Sequence, residues 1–256
     1  MKLDFVKYHG TGNDFVMIDN RRGDIQLSSE LVQWLCNRRF GIGADGVILI
    51  EKPRSEGTMF YSNYYNSDGS QSFCGNGSRC SLHFAKALGI NEPKLPFGAI
   101  DGDHQGWWEN SLAVIRMGDA KVPTKARDHF FIHTGSPHVV VFVDDVSSVD
   151  VRSEGRVIRN WEEWRKEGVN VNFVSRKNDH LAVRTYERGV EGETLSCGTG
   201  VTAVALVDAS LNGGQERSIK TPGGKLKVRF VKNDKGFEQV DLIGPATPVY
   251  QGQIQL

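Results

Sequence analysis

Two copies of the sequence Cys-Gly-x-Gly, beginning at Cys74 and at Cys197, constrain the fold of this chain more than any other feature. They are separated by close to half of the 256 residues, and each is followed by a segment with helical character. A unit that recurs at half the chain length indicates a duplicated domain and argues against a solenoid, whose repeats are ~20–50 residues long. We therefore expect two similar α/β halves.

The remaining pattern is typical of short strands around few helices. Many runs alternate apolar and polar residues or are rich in Val, Ile, Phe and Tyr, as half-buried strands are. The predicted strands are Asp14–Asp19, Gly46–Glu51, Met59–Tyr65, Ser111–Met117, His138–Val143, Val169–Ser175, Leu181–Glu187, Lys225–Val231 and Phe237–Leu242. We expect residues 1–117 to form the first half, joined by a final strand at 247–256, and residues 118–246 to form the second.

Four helices are predicted. Two follow the Cys-Gly-x-Gly sequences, over Ser78–Leu88 and Val201–Leu211, and the second is apolar on nearly every side, which predicts a helix enclosed by its own half. Ser28 is a candidate N-cap for a helix to about Arg38, with Val32, Leu35 and Cys36 on its buried face. Asn160 and Glu163 resemble a capping box, which predicts a short helix ending at Gly168.

Charge and composition exclude several functional classes. The chain has 31 basic and 31 acidic residues, a formal net charge of zero, which disfavours a nucleic-acid partner or a polybasic membrane-surface protein. No apolar run approaches the ~18 residues of a membrane span. We find no secretory signal, and the four cysteines form no Cys-x-x-Cys pair, so we expect a cytoplasmic protein without a disulfide framework or zinc site.

The cysteines at the two helix starts point to acid/base chemistry. Unpaired N–H groups and the helix dipole stabilise a thiolate there, and the adjacent glycines allow a carboxylate to approach. Two such thiols can invert a stereocentre without a cofactor, one removing a proton and the other delivering one to the opposite face. A free cysteine is more often a small buried apolar residue, and we interpret Cys36 and Cys80 in that way.

The whole chain resembles the diaminopimelate epimerase family, whose members interconvert LL- and meso-diaminopimelate without pyridoxal phosphate. The resemblance is carried, in order, by HGTGNDF (9–15), FGIGADG (40–46), NSDGS (66–70), CGNGSRC (74–80), GSPH (135–138), GVNVNFV (168–174), YERG (186–189), ETLSCGTG (193–200) and TPGG (221–224). It implies two pseudosymmetric domains, each a barrel-like mixed sheet wrapped round a central helix, with the active site in the cleft between them. It also implies a homodimer and no metal or other cofactor.

The resemblance assigns roles residue by residue. It makes Cys74 and Cys197 the two acid/base residues, and Ser136 and His138 possible supporting groups near the site. Its substrate-binding positions are Asn13, Asn66, Gly75, Asn76, Asn170, Glu187, Arg188, Gly198 and Thr199. These types suit a substrate with two zwitterionic ends, which needs donors for carboxylates and an acceptor for ammonium groups. The family usually has Asn at position 136, where this chain has Ser.

Other interpretations stay open at the level of the residues. Asn13 and Asn66 lie among Gly and Asp and are also typical of turns. Glu187 and Arg188 are also typical of a solvated pair, and His138 of a structural histidine. From the resemblance we expect the chain to be a diaminopimelate epimerase of the route to lysine, with diaminopimelate as its small-molecule substrate. The alternatives are a related cofactor-independent racemase for another amino acid, or a non-catalytic dithiol or binding homologue.

Overall fold

The computed structural model describes residues 2–256 and divides the chain into two compact units. One unit comprises the chain up to Ile115 together with Gly244–Leu256, and the other is Arg116–Ile243. Within residues 2–256, no helix is both long and apolar enough to cross a membrane.

Strands outnumber helices in both units. The α-helices are α1 (Ser29–Cys36), α2 (Gly75–Ala87), α3 (Val151–Arg159) and α4 (Gly198–Asn212), with short 3₁₀ turns at Val146–Ser148 and Glu162–Trp164. The strands are β1 (Lys2–Gly10), β2 (Asn13–Asp19), β3 (Gly46–Glu51), β4 (Phe60–Asn66), β5 (Lys94–Ala99), β6 (Gly102–Glu109), β7 (Leu112–Arg116), β8 (Ala120–Lys121), β9 (Thr124–Ala126), β10 (His129–His133), β11 (Pro137–Phe142), β12 (Asn170–Arg176), β13 (Leu181–Glu187), β14 (Gly192–Thr194), β15 (Glu216–Thr221), β16 (Gly224–Asn233), β17 (Gly236–Gly244) and β18 (Thr247–Gln255).

The two units share one order of connections. In the first, the hairpin β1–β2 leads through α1 to β3, which is parallel to β2; β4 pairs antiparallel with β3, and α2 leads to β5, parallel to β4. The second unit repeats those steps in the same orientations, with β10–β11, α3, β12, β13, α4 and β15 in the corresponding places. Antiparallel strands follow in each unit, β6 and β7 or β16 and β17, and β18 pairs with β1. The predicted duplicated mixed fold is confirmed.

Each unit buries both faces of its first strands. In β3, Val47 and Leu49 pack in a core with Val32 and Leu35 of α1, while Ile48 lies beside Gly77 of α2. Because helices cover both faces, these strands are nearly continuous apolar runs. Helix α2 packs against β1, β2, β3, β4 and β6, and α4 against the six strands β10, β11, β12, β13, β15 and β16, so each sheet curves round its own helix.

The second unit has the same layers but a polar inner face. Val171 and Phe173 of β12 pack in a core with residues of α3. Residues two apart on a strand share a face, so Asn170 and Asn172 lie on the other face, and Asn172 approaches Gly200 of α4. The chain thus places the Asn172 carboxamide against the first turn of its central helix.

One helix prediction was wrong. No α-helix runs from Asn160 to Gly168; Glu162–Trp164 form only a 3₁₀ turn. The helix lies earlier, at α3, because Asp150 caps it by accepting a hydrogen bond from the Ser153 N–H at 3.1 Å. Asn160 ends that helix, and its Nδ2 donates to the Arg156 carbonyl at 2.7 Å.

Candidate active site

Cys74 is the N-cap residue of α2 and has an extended backbone. Its Sγ accepts a hydrogen bond from the Gly77 N–H at 3.4 Å, and its carbonyl accepts one from the Ser78 N–H at 2.8 Å. The N–H groups of Gly75 and Asn76 belong to the first turn, where donors have no acceptor within the helix. The start of α2 therefore stabilises negative charge on a thiolate or on a bound carboxylate.

Asn13 joins Cys74 and Asn76 through one oxygen. Its Oδ1 accepts from Cys74 Sγ at 3.7 Å and from Asn76 Nδ2 at 3.3 Å. Its Nδ2 donates to a carboxylate oxygen of Asp45 at 2.8 Å, which fixes the orientation of the carboxamide because a carboxylate only accepts. The structure thus brings three of the predicted site residues together; we call Asn13, Cys74 and Asn76 the Cys74 cluster.

Arg79 lies next to the Cys74 cluster and was not among the site residues predicted from the sequence. It is fully buried, and its Nη2 donates to Asn76 Oδ1 at 3.0 Å and to Thr11 Oγ1 at 3.2 Å. Within residues 2–256 no carboxylate pairs with it. Burial lowers the pKa of Arg79 to about 10, so the group is still a cation at neutral pH. Arg79 therefore turns the Asn76 carboxamide so that Nδ2 faces Asn13.

Asn66 ends β4 and lies in a turn. Its Nδ2 donates to the Ser70 carbonyl, Ser70 Oγ and Ser72 Oγ at 3.1–3.2 Å, and its Oδ1 accepts from the Tyr64 hydroxyl at 2.8 Å. These bonds order the loop that leads to Cys74. The geometry therefore gives Asn66 a turn-forming function.

Cys197 occupies the equivalent position at the start of α4. It is 5% exposed, its carbonyl accepts from the Val201 N–H at 2.9 Å, and its Sγ lies 3.5 Å from Thr199 Oγ1. Gly198 and Thr199 form the first turn with it, and the Thr199 carbonyl accepts from Thr134 Oγ1 at 2.9 Å. The start of α4 therefore also stabilises negative charge on a thiolate or on a bound carboxylate.

The fourth residue of each Cys-Gly-x-Gly sequence must be glycine, because a side chain there would meet neighbouring atoms. A Cβ on Gly200 would lie 2.3 Å from Asn172 Oδ1 and 3.3 Å from Cys197 Sγ. A Cβ on Gly77 would lie 3.0 Å from Ile48 Cδ1 and 3.6 Å from Cys74 Sγ. Side chains at either position would crowd the sulfur, most severely at Gly200.

Asn170 and Arg188 are joined through the backbone. Buried Asn170 accepts a hydrogen bond on Oδ1 from the Arg188 N–H at 2.9 Å, and its Nδ2 donates to the Pro137 carbonyl at 3.4 Å. Arg188 Nη1 donates to the Glu167 carbonyl at 2.9 Å. Glu187, the last residue of β13, accepts from Thr194 Oγ1 at 2.9 Å. The carboxamide thus fixes the backbone from which both charged side chains extend.

His138 is completely buried beside Asn172, which the sequence analysis did not select. His138 Nδ1 lies 3.1 Å from Asn172 Nδ2, and burial lowers the pKa of His138 to about 3, so its imidazole is neutral. Asn172 follows Asn170 by two residues in the same strand, a spacing that could have identified it. Ser136 lies in the loop before β11, where its carbonyl accepts from the Thr134 N–H at 3.0 Å.

The other two cysteines are inert by environment. Burial raises the pKa of the Cys36 thiol to about 12 and raises that of Cys80 further. Both therefore stay protonated at neutral pH and pack as small apolar residues. Within the part of the chain that the structure describes, no group of three or more His, Cys, Asp and Glu residues could hold a metal ion.

The fold defines a class of proteins before it defines a family. The chain is similar over its full length to the crystal structure of a PhzF-family phenazine biosynthesis protein from Bacillus anthracis, with a TM-score of 0.76, 14% identity and 100% of both chains covered. It is also similar to a hydroxyproline epimerase from Agrobacterium vitis, with a TM-score of 0.72, 13% identity, and 100% and 93% of the two chains covered. These likenesses place the chain in the duplicated α/β fold of PhzF and proline racemase-like proteins.

Sequence comparison then gives the family. The family model described as diaminopimelate epimerase matches residues 5–122 and 130–248. The diaminopimelate epimerase of Flavobacterium psychrophilum is 45% identical, covering 99% of this chain and 100% of that protein. That of Methanocella arvoryzae is 37% identical, covering 100% and 98%. The chain belongs to the diaminopimelate epimerase family, and the predicted resemblance is confirmed.

Proposed function

We propose that this chain is an isomerase that converts LL-diaminopimelate to meso-diaminopimelate by a two-base mechanism, with Cys74 and Cys197 as the acid/base residues. The observation that carries the proposal is the repeated geometry of the cysteines: each caps the buried central helix of its unit, with glycines at the first and third helical positions. Diaminopimelate as the substrate is supported by membership of the family, two of whose named members are 45% and 37% identical to this chain over nearly their whole length.

The proton transfers follow from the chemistry of the substrate. One cysteine, as thiolate, removes the α-proton, and the C–H electron pair passes into the adjacent carboxylate. The other, as thiol, then delivers its proton to the opposite face of the same carbon, which inverts the centre and leaves the two protonation states exchanged. The reaction thus requires both sulfurs to reach one α-carbon and needs no electron sink from a cofactor such as pyridoxal phosphate.

The helix starts supply the stabilisation that acid/base groups alone do not. General acid–base catalysis contributes ~10²–10⁴-fold, whereas the α-hydrogen of an amino acid is a very weak acid. N–H groups of Gly75, Asn76, Gly198 and Thr199 are suited to donate to the substrate's reacting carboxylate, where negative charge accumulates. Preorganised donors of this kind stabilise the carbanionic transition state more than the ground state.

The remaining predicted residues would bind the non-reacting end of the substrate. Arg188 is suited to the distal carboxylate and Glu187 to the distal ammonium group, while Asn66 and Asn170 provide donors and acceptors. The Asn170 bond to the Arg188 backbone supports this assignment, because it holds the two charged residues in a fixed register. A monocarboxylic substrate would make no use of the distal carboxylate site.

Two further expectations belong to the proposal. The four cysteines are free thiols in the structure, which fits a reducing compartment such as the cytoplasm. We also expect a homodimer, as the family resemblance implies. Size-exclusion chromatography with light scattering tests the dimer, and a monomer at micromolar concentration would contradict it.

Epimerisation of LL-diaminopimelate under reducing conditions tests the function directly. We expect meso-diaminopimelate to form at a rate that the carbonyl reagent aminooxyacetate leaves unchanged. Cys74→Ala and Cys197→Ala should each lose at least ~10²–10⁴-fold in turnover. The matched control Cys36→Ala, at an inert thiol, should keep near-normal turnover. Normal turnover in either active-site variant would contradict the two-base mechanism.

A further inference from the structure

The carboxamide of Asn172 has only one possible orientation. Its nitrogen lies 3.1 Å from the Val139 carbonyl oxygen, and a carbonyl can only accept, so the group at that end must be the NH₂. Its Oδ1 accepts from the Thr185 hydroxyl at 3.0 Å. All of these groups are buried, so no solvent competes for them.

That orientation decides the proton position on His138. The second hydrogen of the Asn172 NH₂ points to His138 Nδ1, 3.1 Å away, so Nδ1 must accept and cannot carry a proton. A neutral imidazole then carries its proton on Nε2. The imidazole is fully buried, and its Nε2 has no hydrogen-bond partner among residues 2–256.

The orphaned N–H belongs to an imidazole on which a cation of the second unit, the Arg188 guanidinium, acts electrostatically. The groups that act electrostatically on His138 are His133 and Arg188. Asn172 reaches the start of α4, since its Oδ1 and Cys197 Sγ both lie within 3.3 Å of the point where a Gly200 Cβ would lie. A buried N–H donor without an acceptor is costly, and an acceptor that suits these neighbours is a carboxylate.

We propose that Asn172 is a positioning residue that holds His138 as its neutral Nε2–H tautomer, so that Nε2 donates a hydrogen bond to a carboxylate of the bound substrate. Only the identity of that ligand rests on the proposed function. Nδ1 contributes no proton, so His138 serves as a fixed donor and not as a general acid that shuttles protons. Thr185 acts one step further out by fixing the Asn172 carboxamide.

Nitrogen NMR of the free protein tests the tautomer independently of activity. With ¹⁵N-histidine labelling and a His138→Gln spectrum for assignment, we expect His138 to show a non-protonated Nδ1 and a protonated Nε2 at neutral pH. Addition of diaminopimelate as its equilibrium LL/meso mixture should shift the Nε2–H resonance. A protonated Nδ1, an imidazolium, or an Nε2–H resonance unmoved at saturating diaminopimelate would overturn the proposal.

Variants of Asn172 and Thr185 test whether these residues position His138. Asn172→Asp presents only acceptors, so the proton should move to Nδ1, and kcat/KM should fall by ~10²-fold as a buried donor is lost. Thr185→Val is the milder variant should Asn172→Asp fail to fold, and it should raise KM and lower kcat/KM by about tenfold. The control is Ser175→Ala in the same strand, whose buried hydroxyl has no partner within residues 2–256; it should keep the tautomer and kcat/KM. An unchanged tautomer in Asn172→Asp, or equal losses in Ser175→Ala and Thr185→Val, would overturn the proposal.

Discussion

The Oδ1 of Asn13 lies 3.7 Å from the sulfur of Cys74 and accepts a hydrogen bond from its thiol. The same oxygen accepts from Asn76 Nδ2, whose carboxamide is in turn oriented by buried Arg79. At the other end, Asn13 Nδ2 donates to Asp45. A cation at one end and a carboxylate at the other thus fix two carboxamides and direct an acceptor at the thiol.

Replacement of Asn13 by Leu should impair Cys74 without unfolding the protein. The side chain is partly exposed, so its loss leaves few buried groups unpaired. Loss of the acceptor should lower kcat by ~10–10²-fold, the equivalent of one hydrogen bond of ~1–3 kcal/mol in a partly enclosed site. Steady-state kinetics measure this, with Asn212→Ala, at the exposed end of α4, as the control. Equal kcat in the two variants would refute a contribution of Asn13 to catalysis.

Arg79→Met should lower the free energy of unfolding by about 2–4 kcal/mol, because it leaves several buried acceptors without a donor. The buried acceptors include Asn76 Oδ1 and Thr11 Oγ1, and the half-buried Pro245 carbonyl also loses a donor. The control is Arg54→Met, which removes an exposed ion pair with Glu51 and should cost less than about 1 kcal/mol. Urea unfolding compares the two variants, and equal costs would contradict this account of Arg79.

Gly200→Ala should be more damaging than the same change at Gly77. The new methyl would meet Asn172 Oδ1 at 2.3 Å, whereas at Gly77 its nearest neighbour is the flexible end of Ile48 at 3.0 Å. We expect turnover to fall by at least ~10²-fold in Gly200→Ala, since displaced site groups cost that much. Gly192→Ala, with no atom within 4 Å of the new Cβ, is the control. A Gly200→Ala enzyme as active as Gly192→Ala would contradict the contact argument.

The folded state should lose stability in acid through Asp14. Burial raises the pKa of this carboxyl, but hydrogen bonds from Arg38 and Lys7 outweigh burial and lower the pKa to about 2. A lowered folded-state pKa stabilises the protein above the unfolded value near 4, by about 2 kcal/mol, and that contribution disappears as the pH falls from about 4 to 2.

Urea unfolding of wild type and Asp14→Asn at several pH values checks this. The difference in unfolding free energy should be full at neutral pH and shrink below pH ~4, where protonated Asp14 comes to resemble Asn. Ser210→Ala, which removes a hydroxyl that donates to the Leu206 carbonyl at 3.1 Å within α4, provides a control whose effect should not vary with pH. A difference for Asp14→Asn that stays constant between pH ~7 and ~2 would contradict the prediction.

Local signals predicted much of the fold. The N-cap and the periodicity predicted α1 with its buried Val32, Leu35 and Cys36. Both helices after the cysteines were also predicted, but they begin at Gly75 and Gly198, about one turn before the predicted starts. Strand β5 was missed because its sequence KLPFGA contains Pro and Gly, and it forms only through pairing with β4 and β6. Such tertiary pairing leaves no periodic signal.

Residues of the candidate site could be selected from the sequence where the chemistry is encoded in neighbouring residues. Motif and resemblance selected Cys74, Asn76 and Asn13 one by one, and the structure adds the contacts between them. Arg79 was not anticipated, because its acceptors come from distant segments, including the Pro245 carbonyl. Asn172 was missed for the opposite reason: its strand spacing from Asn170 was visible, but only burial beside His138 reveals what it does.

Deuterium incorporation during the first turnovers in D₂O is the most direct test of the two-base account. The base that removes the proton from LL-diaminopimelate is not the acid that delivers one to the other face. The meso product should therefore carry one solvent deuterium at the inverted α-carbon from the start, while recovered LL substrate carries none at early times. Deuterium appearing in recovered LL substrate as fast as in product, or protium retained in product, would show that a single group transfers both protons and would contradict the assignment of Cys74 and Cys197.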